Sequence, residues 1–251
     1  MAVFLYFCTM ISKALLKELC GYKLQKKCDA EGLFVVEGVK MAGEAMASGW
    51  CIAAVCATEQ WMAANQQQLV ADKAYEVTQG DLERLSGMQT PNEVWMLVER
   101  RMASAVQDED GERSTIALDK IQDPGNMGTI MRTADWYGIR HIVCSKDTVN
   151  CYNAKVVQAS MGAVFRTRVD YVDLPQWLAC CGMPVYGASL HGQDISTFNV
   201  KTPAPKVLLI GNESRGISPE AMAQVTHQVL IPNIGGTAES LNASVAAGIL
   251  M

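Results

Sequence analysis

Short runs of branched aliphatic residues alternate with helix-like segments throughout residues 115–251, and this alternation constrains the fold most strongly. Apolar runs such as "TIAL", "HIVCS" and "KVLLI" are each followed by a turn and then by a segment with helical spacing. Strands that are apolar on both faces are buried on both faces, and strand–helix alternation of this kind is typical of parallel sheets. The sequence therefore predicts an α/β domain with a mostly parallel sheet covered on both faces.

Residues 10–98 form a second, smaller pattern of the same kind. Helical spacing in "SKALLKELCGYKLQKKC", with Ser12 as the candidate N-cap, precedes the strand-like runs "LFVVE", "CIAAVCA" and "VWMLVE". Half of residues 99–114 are charged and no apolar period survives there, which is typical of a linker. We therefore expect a small α/β domain over 10–98, a charged linker over 99–114 and a larger domain over 115–251.

The composition excludes several functional classes. Apolar residues make up 49% of the 251 residues, which is enough for packed cores. With a net charge of −5 the chain is not a general polyanion-coating protein, so any contact with nucleic acid must be local. The nine cysteines form no CxxC pair and the three histidines lie far apart. This indicates reduced thiols in the cytoplasm and no zinc site.

The chain opens with the apolar stretch "MAVFLYFCTMIS", which is too short for a bilayer span of about 20 residues. It also lacks the basic segment and the small-residue cleavage site of a secretory signal. A helix-like opening, "MISKALLKEL", begins at Met10. We therefore expect no membrane segment, and either translation from Met10 or a short extension over residues 1–9.

The loop "IQDPGNMGTIMR" carries polar residues of the kind that bind ligands. It predicts a turn at Asp123–Gly125, with Asn126 as the candidate cap of the next helix and Arg132 on a different face from Ile130 and Met131. The familiar phosphate-binding patterns GxxxxGK[ST] and GxGxxG are both missing. An ordinary β-turn-α connection, with Arg132 in an ion pair at the surface, explains this loop equally well.

Two further loops follow the last strand-like runs. "LLIGNESRGISPE" places Gly211, Asn212 and Glu213 directly after a buried strand, where open α/β sheets bind ligands. A solvated turn with Glu213 paired to Arg215 is the alternative. "LIPNIGGTAESLNASVAAG" runs through a Gly-Gly loop into an alanine-rich helix, for which Ser240 is the candidate N-cap. Each loop alone is compatible with a purely structural role.

Taken in order, the patterns N-x-G-x-x-x-R, G-N-E-x-x-G-I and I-P…E-S-L-N-x-S-x-A resemble the SpoU (TrmH) family of RNA 2′-O-ribose methyltransferases, within the SPOUT superfamily. The resemblance covers most of the chain, because "LFVVEG" and the helix after it look like the small L30-like RNA-binding domain of many members. It implies a parallel-sheet SPOUT domain with a deep C-terminal trefoil knot, a rare exception to the usual rules of chain connection. It also implies S-adenosyl-L-methionine as cofactor, RNA as substrate, a homodimer and no metal.

The resemblance also assigns roles to residues of all three loops. Arg132 would be the central residue, either as the base or as the group that orients the ribose hydroxyl and a phosphate. An arginine is an awkward base because a guanidinium holds its proton tightly. Glu213 would position Arg132. The expected catalytic residues are Arg132, Asn126, Glu213, Ser240 and Asn242. The expected cofactor contacts are Ala188, Ser189, Leu190, Gly211, Asn212, Glu213, Gly216, Ile231, Pro232, Ser240 and Leu241.

The N-terminal helix-like segment is the candidate RNA-binding surface. Its five lysines outnumber the two acidic residues among the first 30 positions. Tyr22 lies among these lysines and is a candidate for stacking on a base. A solvated basic helix face with a buried tyrosine is the alternative. The expected substrate contacts are Lys23, Lys26, Lys27 and Arg132.

Two features depart from the family pattern. The basic stretch "KLQKKCDAEG" is poorer in arginine than is usual, and the chain ends at Met251, where members continue the helix that packs at the dimer interface. We therefore expect a weaker dimer than in longer relatives. The leading hypothesis is 2′-O-methylation of ribosomal RNA or, second, of transfer RNA. An inactive RNA-binding or ribosome-assembly scaffold is the alternative, and a dehydrogenase is disfavoured by the missing GxGxxG.

Overall fold

The computed structural model describes residues 9–88, 93–101, 114–198 and 205–251. The chain divides into two compact units, Met1–Met102 with Tyr152–Phe165 and Ala103–Cys151 with Arg166–Met251. Most of the predicted linker (99–114) and most of the apolar start (1–9) lie outside the described residues, so both stay predictions. Among the helices of the described ranges, none is both long enough and apolar enough to cross a membrane.

The strands and helices follow the alternation that the sequence predicts. In chain order the strands are β1 (Thr9–Met10), β2 (Leu33–Glu37), β3 (Ile52–Ala57), β4 (Ala74–Glu76), β5 (Val94–Glu99), β6 (Thr115–Leu118), β7 (His141–Ser145), β8 (Arg168–Val172), β9 (Val185–Asp194), β10 (Val207–Ile210) and β11 (His227–Leu230). The helices are α1 (Lys13–Cys20), α2 (Gln25–Glu31), α3 (Val39–Ser48), α4 (Glu59–Asn65), α5 (Gln79–Leu85), α6 (Pro124–Trp136), α7 (Ala154–Ser160), α8 (Leu174–Cys180), α9 (Pro219–Met222) and α10 (Ala243–Leu250).

The N-terminal unit has a five-stranded mixed sheet in the order β1-β4-β3-β5-β2. β4 runs parallel to β1 and β3, whereas β5 runs antiparallel to β3 and β2. Leu16 and Leu19 of α1 share a buried core with Leu82 and Leu85 of α5 and with Trp95 of β5. The first part of the chain is thus a small α/β unit, as the sequence predicts.

Local capping explains where the N-terminal helices begin and end. The Ser12 hydroxyl accepts a hydrogen bond from the Leu15 amide at 3.2 Å, so the predicted N-cap of α1 is confirmed. The helix-like pattern does not continue unbroken, because Gly21–Lys23 forms a 3₁₀ turn before α2. α3 ends at Gly49, whose φ of 68° lies in the left-handed region that closes helices.

Residues 152–165 belong to the N-terminal unit, although the predicted range of the second domain includes them. The Tyr152 ring lies 4.9 Å from the Phe34 ring, and the Phe165 ring lies 5.4 Å from the Trp50 ring, measured between centroids. Helix α7 lies between these two aromatic residues in the sequence and packs against β2. Helical periodicity identifies a helix but not the core that the helix joins, so the sequence did not indicate this return.

The second unit has a six-stranded parallel sheet in the order β11-β9-β10-β6-β7-β8, which confirms the predicted parallel sheet. Every residue of β6 and β10 is buried, as expected for strands covered on both faces. The chain builds β6, β7 and β8 in one direction and then places β10, β9 and β11 on the other side of β6. The strand order therefore reverses between β6 and β10, and open α/β sheets bind ligands at such switch points.

Helix α6 begins earlier than the sequence predicts. Asp123 is its N-cap, because Asp123 Oδ1 accepts a hydrogen bond from the Asn126 amide at 2.8 Å, and Pro124 is the first helical residue. The predicted turn at Asp123–Gly125 and the predicted Asn126 cap are therefore both wrong. An aspartate followed by a proline is itself a helix-start signal, and it leaves the Asn126 side chain available for other contacts.

None of the eight described cysteines is in a disulfide bond. At the surface of the N-terminal unit, Cys51, Asp72 and Glu99 bring their ligand atoms within 4.8 Å of one another, a group that sequence spacing did not indicate. Exposed acidic groups of this kind are common without an ion, so this group alone defines no metal site.

We expect Asp123→Ala to lower the free energy of unfolding by about 1 kcal/mol, because the Asn126 amide loses its cap acceptor. The measurement is the urea unfolding midpoint of the full chain, followed by circular dichroism. Asp123→Asn is the matched control and should retain most of the stability, since asparagine caps about as well as aspartate. Equal losses for both variants would mean that the negative charge, and not the cap, stabilises this end of α6.

Candidate active site

Asn126 and Glu213 meet across the switch point of the parallel sheet. Asn126 lies in the first turn of α6, shortly after β6, and Glu213 lies in the turn after β10. Asn126 Nδ2 donates a hydrogen bond to Glu213 Oε1 at 2.8 Å. Only 7% of Asn126 is exposed, whereas Glu213 is half-buried, so this bond joins the first and second loops at a partly buried position.

Asn242 connects the third loop to the same pair. Asn242 Nδ2 donates to Asn126 Oδ1 at 2.9 Å, while Asn242 Oδ1 accepts from the amides of Ser244 and Val245 and so caps α10. The predicted Ser240 cap is therefore wrong. Asparagine suits both tasks because its side-chain amide is donor and acceptor at once. Three loops are thus linked by one continuous series of hydrogen bonds, which we call the Glu213–Asn126–Asn242 chain.

Asn212 organises the backbone of the second loop. Its Nδ2 donates to the Lys120 carbonyl at 2.8 Å, and its Oδ1 accepts from the amides of Ser214 and Arg215 at 3.0 and 3.1 Å. The backbone of Asn212 also pairs with that of Gly216 as an isolated antiparallel bridge. These contacts fix residues 212–216 as a closed turn and hold Glu213 within it.

Lys120 adopts a backbone conformation that is uncommon for a residue with a side chain. Its φ is 58°, in the left-handed region. The Lys120 amide donates to Ser145 Oγ at 2.8 Å, and the Lys120 carbonyl accepts the hydrogen bond from Asn212. These two bonds offset the backbone strain and hold the end of β6 beside the second loop.

Gly211 permits a close backbone crossing at the start of the second loop. A Cβ atom at this position would lie 2.2 Å from both the carbonyl carbon of Gly216 and the amide nitrogen of Ile217, so no side chain fits there. The buried Asp119 carboxylate supports the far end of the same loop by accepting a hydrogen bond from the Ser218 amide at 2.7 Å. The second loop is therefore braced at both ends.

The segment after the first part of β9 bulges out of the sheet. β9 leaves its ladder with β11 after Gly187 and rejoins it at Gln193, so the residues between them stand out from the pairing. Leu190 is 64% exposed in this bulge, and Ser189 Oγ donates to Gln228 Oε1 at 3.0 Å. The predicted cofactor contacts in this segment are Ala188, Ser189 and Leu190.

Residues 231–242 follow β11 without regular secondary structure. Ile231 is half-buried, whereas Pro232 and Ser240 are exposed, and Leu241 exposes 47% of its surface. Within the described ranges the Ser240 hydroxyl has no hydrogen-bond partner, so it does not share in the Glu213–Asn126–Asn242 chain. The predicted contacts of this loop therefore form an open surface.

The residues of these three segments fit S-adenosylmethionine. β11, β9 and β10 are adjacent and parallel, so the segments that follow them lie at one edge of the sheet. Leu190 and Leu241 offer exposed apolar surface there, while Glu213 and the backbone of a fixed turn offer polar groups. An adenine ring, a ribose and a methionine chain together require this mixture of apolar and polar contacts.

Arg132 stands apart from the Glu213–Asn126–Asn242 chain. It is exposed, whereas Ile130 and Met131 are fully buried, which confirms that Arg132 lies on a different helical face. Six residues of α-helix turn through about 240° and rise about 9 Å, so Arg132 also points away from Asn126. No hydrogen bond or ion pair joins Arg132 to another described residue, and Glu213 accepts from Asn126 instead. The structure thus does not place Glu213 against Arg132.

The predicted RNA contacts of the N-terminal unit are of two kinds. Lys23 and Lys26 are exposed, whereas Lys27 Nζ donates to a backbone carbonyl and lies 4.0 Å from the centre of the Tyr22 ring. Tyr22 is buried and donates to Glu31. Burial, and secondly this hydrogen bond, raises the pKa of the Tyr22 hydroxyl. Tyr22 is therefore a buried tyrosine, which was the alternative interpretation, and the prediction that it stacks on a base is wrong.

Three supporting residues were missed by the sequence reasoning. Asp119, Lys120 and Ser145 brace the loops, and none of them is among the residues that the sequence predicts for the site. The sequence does carry a signal for two of them, because Asp119 and Lys120 directly follow the buried run "TIAL". The rule that selected Glu213, a polar residue at the end of a buried strand, would also have selected Asp119.

The parallel sheet, the switch point and the three linked loops define a methyltransferase of the class that the loop patterns resemble. The chain belongs to the SpoU rRNA Methylase family, which matches residues 113–251. A second family, described as the MRM3-like substrate binding domain, matches residues 13–95. The resemblance drawn from the three loops is confirmed.

Similar proteins extend over most of the chain. It is 27% identical over 224 residues to the 23S rRNA (guanosine(2553)-2′-O)-methyltransferase RlmP of Bacillus subtilis, covering 87% of this chain and 86% of the relative. A solved protein described as an RNA methyltransferase of the TrmH family from Porphyromonas gingivalis matches with a TM-score of 0.84 and 34% identity, covering 96% and 97% of the two chains. The AdoMet-bound rRNA methyltransferase from Sinorhizobium meliloti matches with a TM-score of 0.82 and 29% identity, covering 96% and 94%.

We expect Gly211→Ala to weaken S-adenosylmethionine binding by about ten- to hundredfold, because the new Cβ would force the second loop away from its braced position. Isothermal titration calorimetry on the full chain measures this affinity. Gly43→Ala is the matched control: Gly43 lies in α3 with no atom within 4 Å of the added Cβ, so binding should not change. An unchanged affinity in a folded Gly211→Ala variant would show that the crossing is not needed for binding.

We expect Asn126→Ala and Asn242→Ser to be energetically coupled, because both remove members of one hydrogen-bond chain. Serine keeps the cap of α10 but lacks the Nδ2 donor, so the second change is specific to the bond with Asn126. The loss in unfolding free energy of the double variant should differ from the sum of the single losses by about 0.5–3 kcal/mol. Strict additivity in urea unfolding would show that the two bonds are independent.

Proposed function

We propose that this protein transfers a methyl group from S-adenosylmethionine to the 2′-hydroxyl of a ribose in ribosomal RNA. The observation that carries the proposal is the Glu213–Asn126–Asn242 chain at the switch point of a member of the SpoU rRNA Methylase family. Its three residues come from the three loops whose patterns identify the family. An intact hydrogen-bonded constellation of this kind is expected where groups must be held in fixed positions for a reaction.

Ribosomal RNA is favoured over transfer RNA by the relatives. The Bacillus subtilis relative, which spans most of the chain, is named for 2′-O-methylation of a guanosine in 23S rRNA. The Sinorhizobium meliloti neighbour is an rRNA methyltransferase with AdoMet bound. The substrate-binding family match over residues 13–95 supports the N-terminal unit as an RNA-binding element, with exposed Lys23 and Lys26 as contacts.

The cofactor would be held by the three segments at the edge of the sheet. When bound, S-adenosylmethionine supplies a methyl group on a positively charged sulfur. Leu190 and Leu241 would cover its apolar parts, and the turn fixed by Asn212 would present backbone groups to its polar parts. Because this turn is braced by its own hydrogen bonds, little conformational freedom would be lost on binding.

Arg132 would act on the RNA. A guanidinium keeps its proton and presents planar donors that match a phosphate, so Arg132 is suited to holding the backbone beside the reacting ribose. Correct positioning of the 2′-oxygen relative to the methyl group supplies a large part of the rate increase in such a reaction. We therefore assign Arg132 an orienting role rather than that of a base.

We further propose that the protein works as a homodimer with a trefoil knot near its C-terminal end. Arg132 and Asn126 lie on different faces of α6, so a second copy would bring its own arginine to this site. Val245 and Ile249 of α10 are 50% and 47% exposed and lie one helical turn apart. This apolar strip is of the kind that subunit interfaces cover.

An inactive scaffold is less well supported, because it would not need an intact Glu213–Asn126–Asn242 chain. The hypothesis of a dehydrogenase is excluded by membership of the SpoU rRNA Methylase family, and the GxGxxG motif is also missing. We place the protein in the cytoplasm, since its relatives modify ribosomal RNA and none of its eight described cysteines is in a disulfide bond.

We expect Arg132→Ala to lower the rate of methyl transfer at saturating RNA by about 10²–10⁴-fold, because the reacting ribose loses its orienting group. S-adenosylmethionine affinity should not change. The measurement is transfer of labelled methyl groups to ribosomal RNA from cells lacking this gene, with digestion of the product to nucleosides. Arg132→Lys is the matched control. Its rate of methyl transfer should fall between those of the unchanged protein and of Arg132→Ala, since lysine keeps the charge but not the planar guanidinium.

A labelled 2′-O-methylnucleoside that requires the intact protein would establish the reaction. Cofactor and RNA binding without any transfer, on naked ribosomal RNA and on ribosomal particles alike, would refute the proposed function and favour the scaffold. Transfer at the full rate by Arg132→Ala would refute only the role of this residue.

A further inference from the structure

One face of α6 is exposed along the length of the helix. Its residues are Gly125, Thr129, Arg132 and Trp136, which recur at spacings of four, three and four and so line one side of the helix. We call this the Arg132 face. The opposite side carries fully buried residues and packs into the fold. The Arg132 face is therefore a continuous exposed strip that ends in an aromatic side chain.

Trp136 is 86% exposed, which is exceptional for so large an aromatic residue. Among the five tryptophans of the sequence it is the exposed one. The next residue, Tyr137, is also 55% exposed. An exposed aromatic pair next to a catalytic face indicates a surface that something covers during function. The four tryptophans that are buried or half-buried are Trp50, Trp61, Trp95 and Trp177.

The charges around Trp136 suit a polyanion. The charged residues of α6 are Arg132 and Asp135, and the Asp135 carboxylate is compensated by Arg166 at 2.8 Å. Arg132 has no acidic partner among the described residues, and Arg140, just after the helix, is exposed. Trp136 is thus flanked in sequence by two exposed guanidinium groups, a combination of ring and positive charge that favours a nucleic-acid strand.

We propose that Trp136 stacks on an unpaired base of the RNA substrate, beside the ribose that Arg132 orients. This inference rests on the proposed function. Arg132 and Trp136 lie one turn apart, a rise of about 6 Å, so a strand whose phosphate meets Arg132 presents a nearby base to the ring. Stacking tolerates any base, because every base has a π face. Trp136 therefore holds the strand in place and does not read its sequence.

RNA fits the Trp136 end of this face better than a second copy of the chain does. Arg132 must reach the RNA for the proposed reaction, and a residue one turn away on the same face then lies within reach of the same strand. The Val245–Ile249 strip of α10 carries no charge and is the better candidate for a subunit interface. A second copy covering Trp136 is one outcome that the test below distinguishes.

The first test uses the tryptophan emission of the full protein, because Trp136 is its exposed fluorophore. Quenching by acrylamide is measured with and without ribosomal RNA from cells lacking this gene. We expect RNA to protect an acrylamide-accessible component of the emission, and we expect Trp136→Phe to lack that component. Phenylalanine keeps an aromatic ring, so this control removes the signal without removing the stacking surface.

The second test is kinetic. We expect Trp136→Ala to raise the KM for RNA by about five- to hundredfold, the range set by loss of one stacked base. The effect on kcat should be smaller than the effect on KM, and S-adenosylmethionine affinity should not change. Trp136→Phe should restore most of the RNA affinity, because the ring is retained. A merely structural role for Trp136 would instead move stability and cofactor binding.

Two results would overturn the inference. If Trp136 is already shielded from acrylamide in the RNA-free protein, a second copy of the chain covers it. If Trp136→Ala leaves the KM for RNA unchanged, the ring does not contact the substrate. Quenching reports binding and not methyl transfer, so RNA protection in a protein without transfer would refute the proposed reaction while supporting the stacking contact.

Discussion

The side-chain amide of Asn126 is the group on which the rest of the site depends. It donates to Glu213, 87 residues later, and accepts from Asn242, 116 residues later. Both bonds join segments that are distant in sequence, so they form only when the sheet has brought its loops to one edge. Because Asn126 is buried, leaving either bond unmade costs about 1–3 kcal/mol. The three loops therefore keep their arrangement together or lose it together.

The reversal of strand order gives this asparagine its place. β6 and β10 are parallel neighbours on either side of the point where the strand order reverses, so the loops that follow them begin at the same edge of the sheet. Lys120 and Asp119, just after β6, hold the loop after β10 through Asn212 and Ser218. The result is a hydrogen-bonded set of polar groups at the end of a buried apolar sheet, which is the setting that a positioned methyl transfer requires.

Much of this fold could be predicted from the sequence, and the failures have physical causes. Short, almost wholly apolar runs such as "VLLI", each followed by a helix-like segment, favour the middle of a covered sheet, so β6 and β10 could be predicted from this pattern. The N-cap of α6 was harder to predict, because Asp123 and Asn126 both suit an N-cap position. Only Pro124, directly after Asp123, distinguishes between them. The Asn126–Glu213 contact followed from strand order, which the sequence does not contain. The separation of Arg132 from Glu213 followed from helical phase once the true start of α6 was known.

The return of residues 152–165 to the N-terminal unit bears on how this protein can be divided or recombined. The boundary between the two units is not one cut in the gene, because the chain crosses it three times. A fragment starting at residue 115 would carry Tyr152 and Phe165 without Phe34 and Trp50, the rings that cover them. Exchange of the first hundred residues with another protein would have to supply a matching aromatic pocket. The small domain is therefore built from two separate stretches of the sequence, and the first hundred residues alone cannot complete its aromatic core.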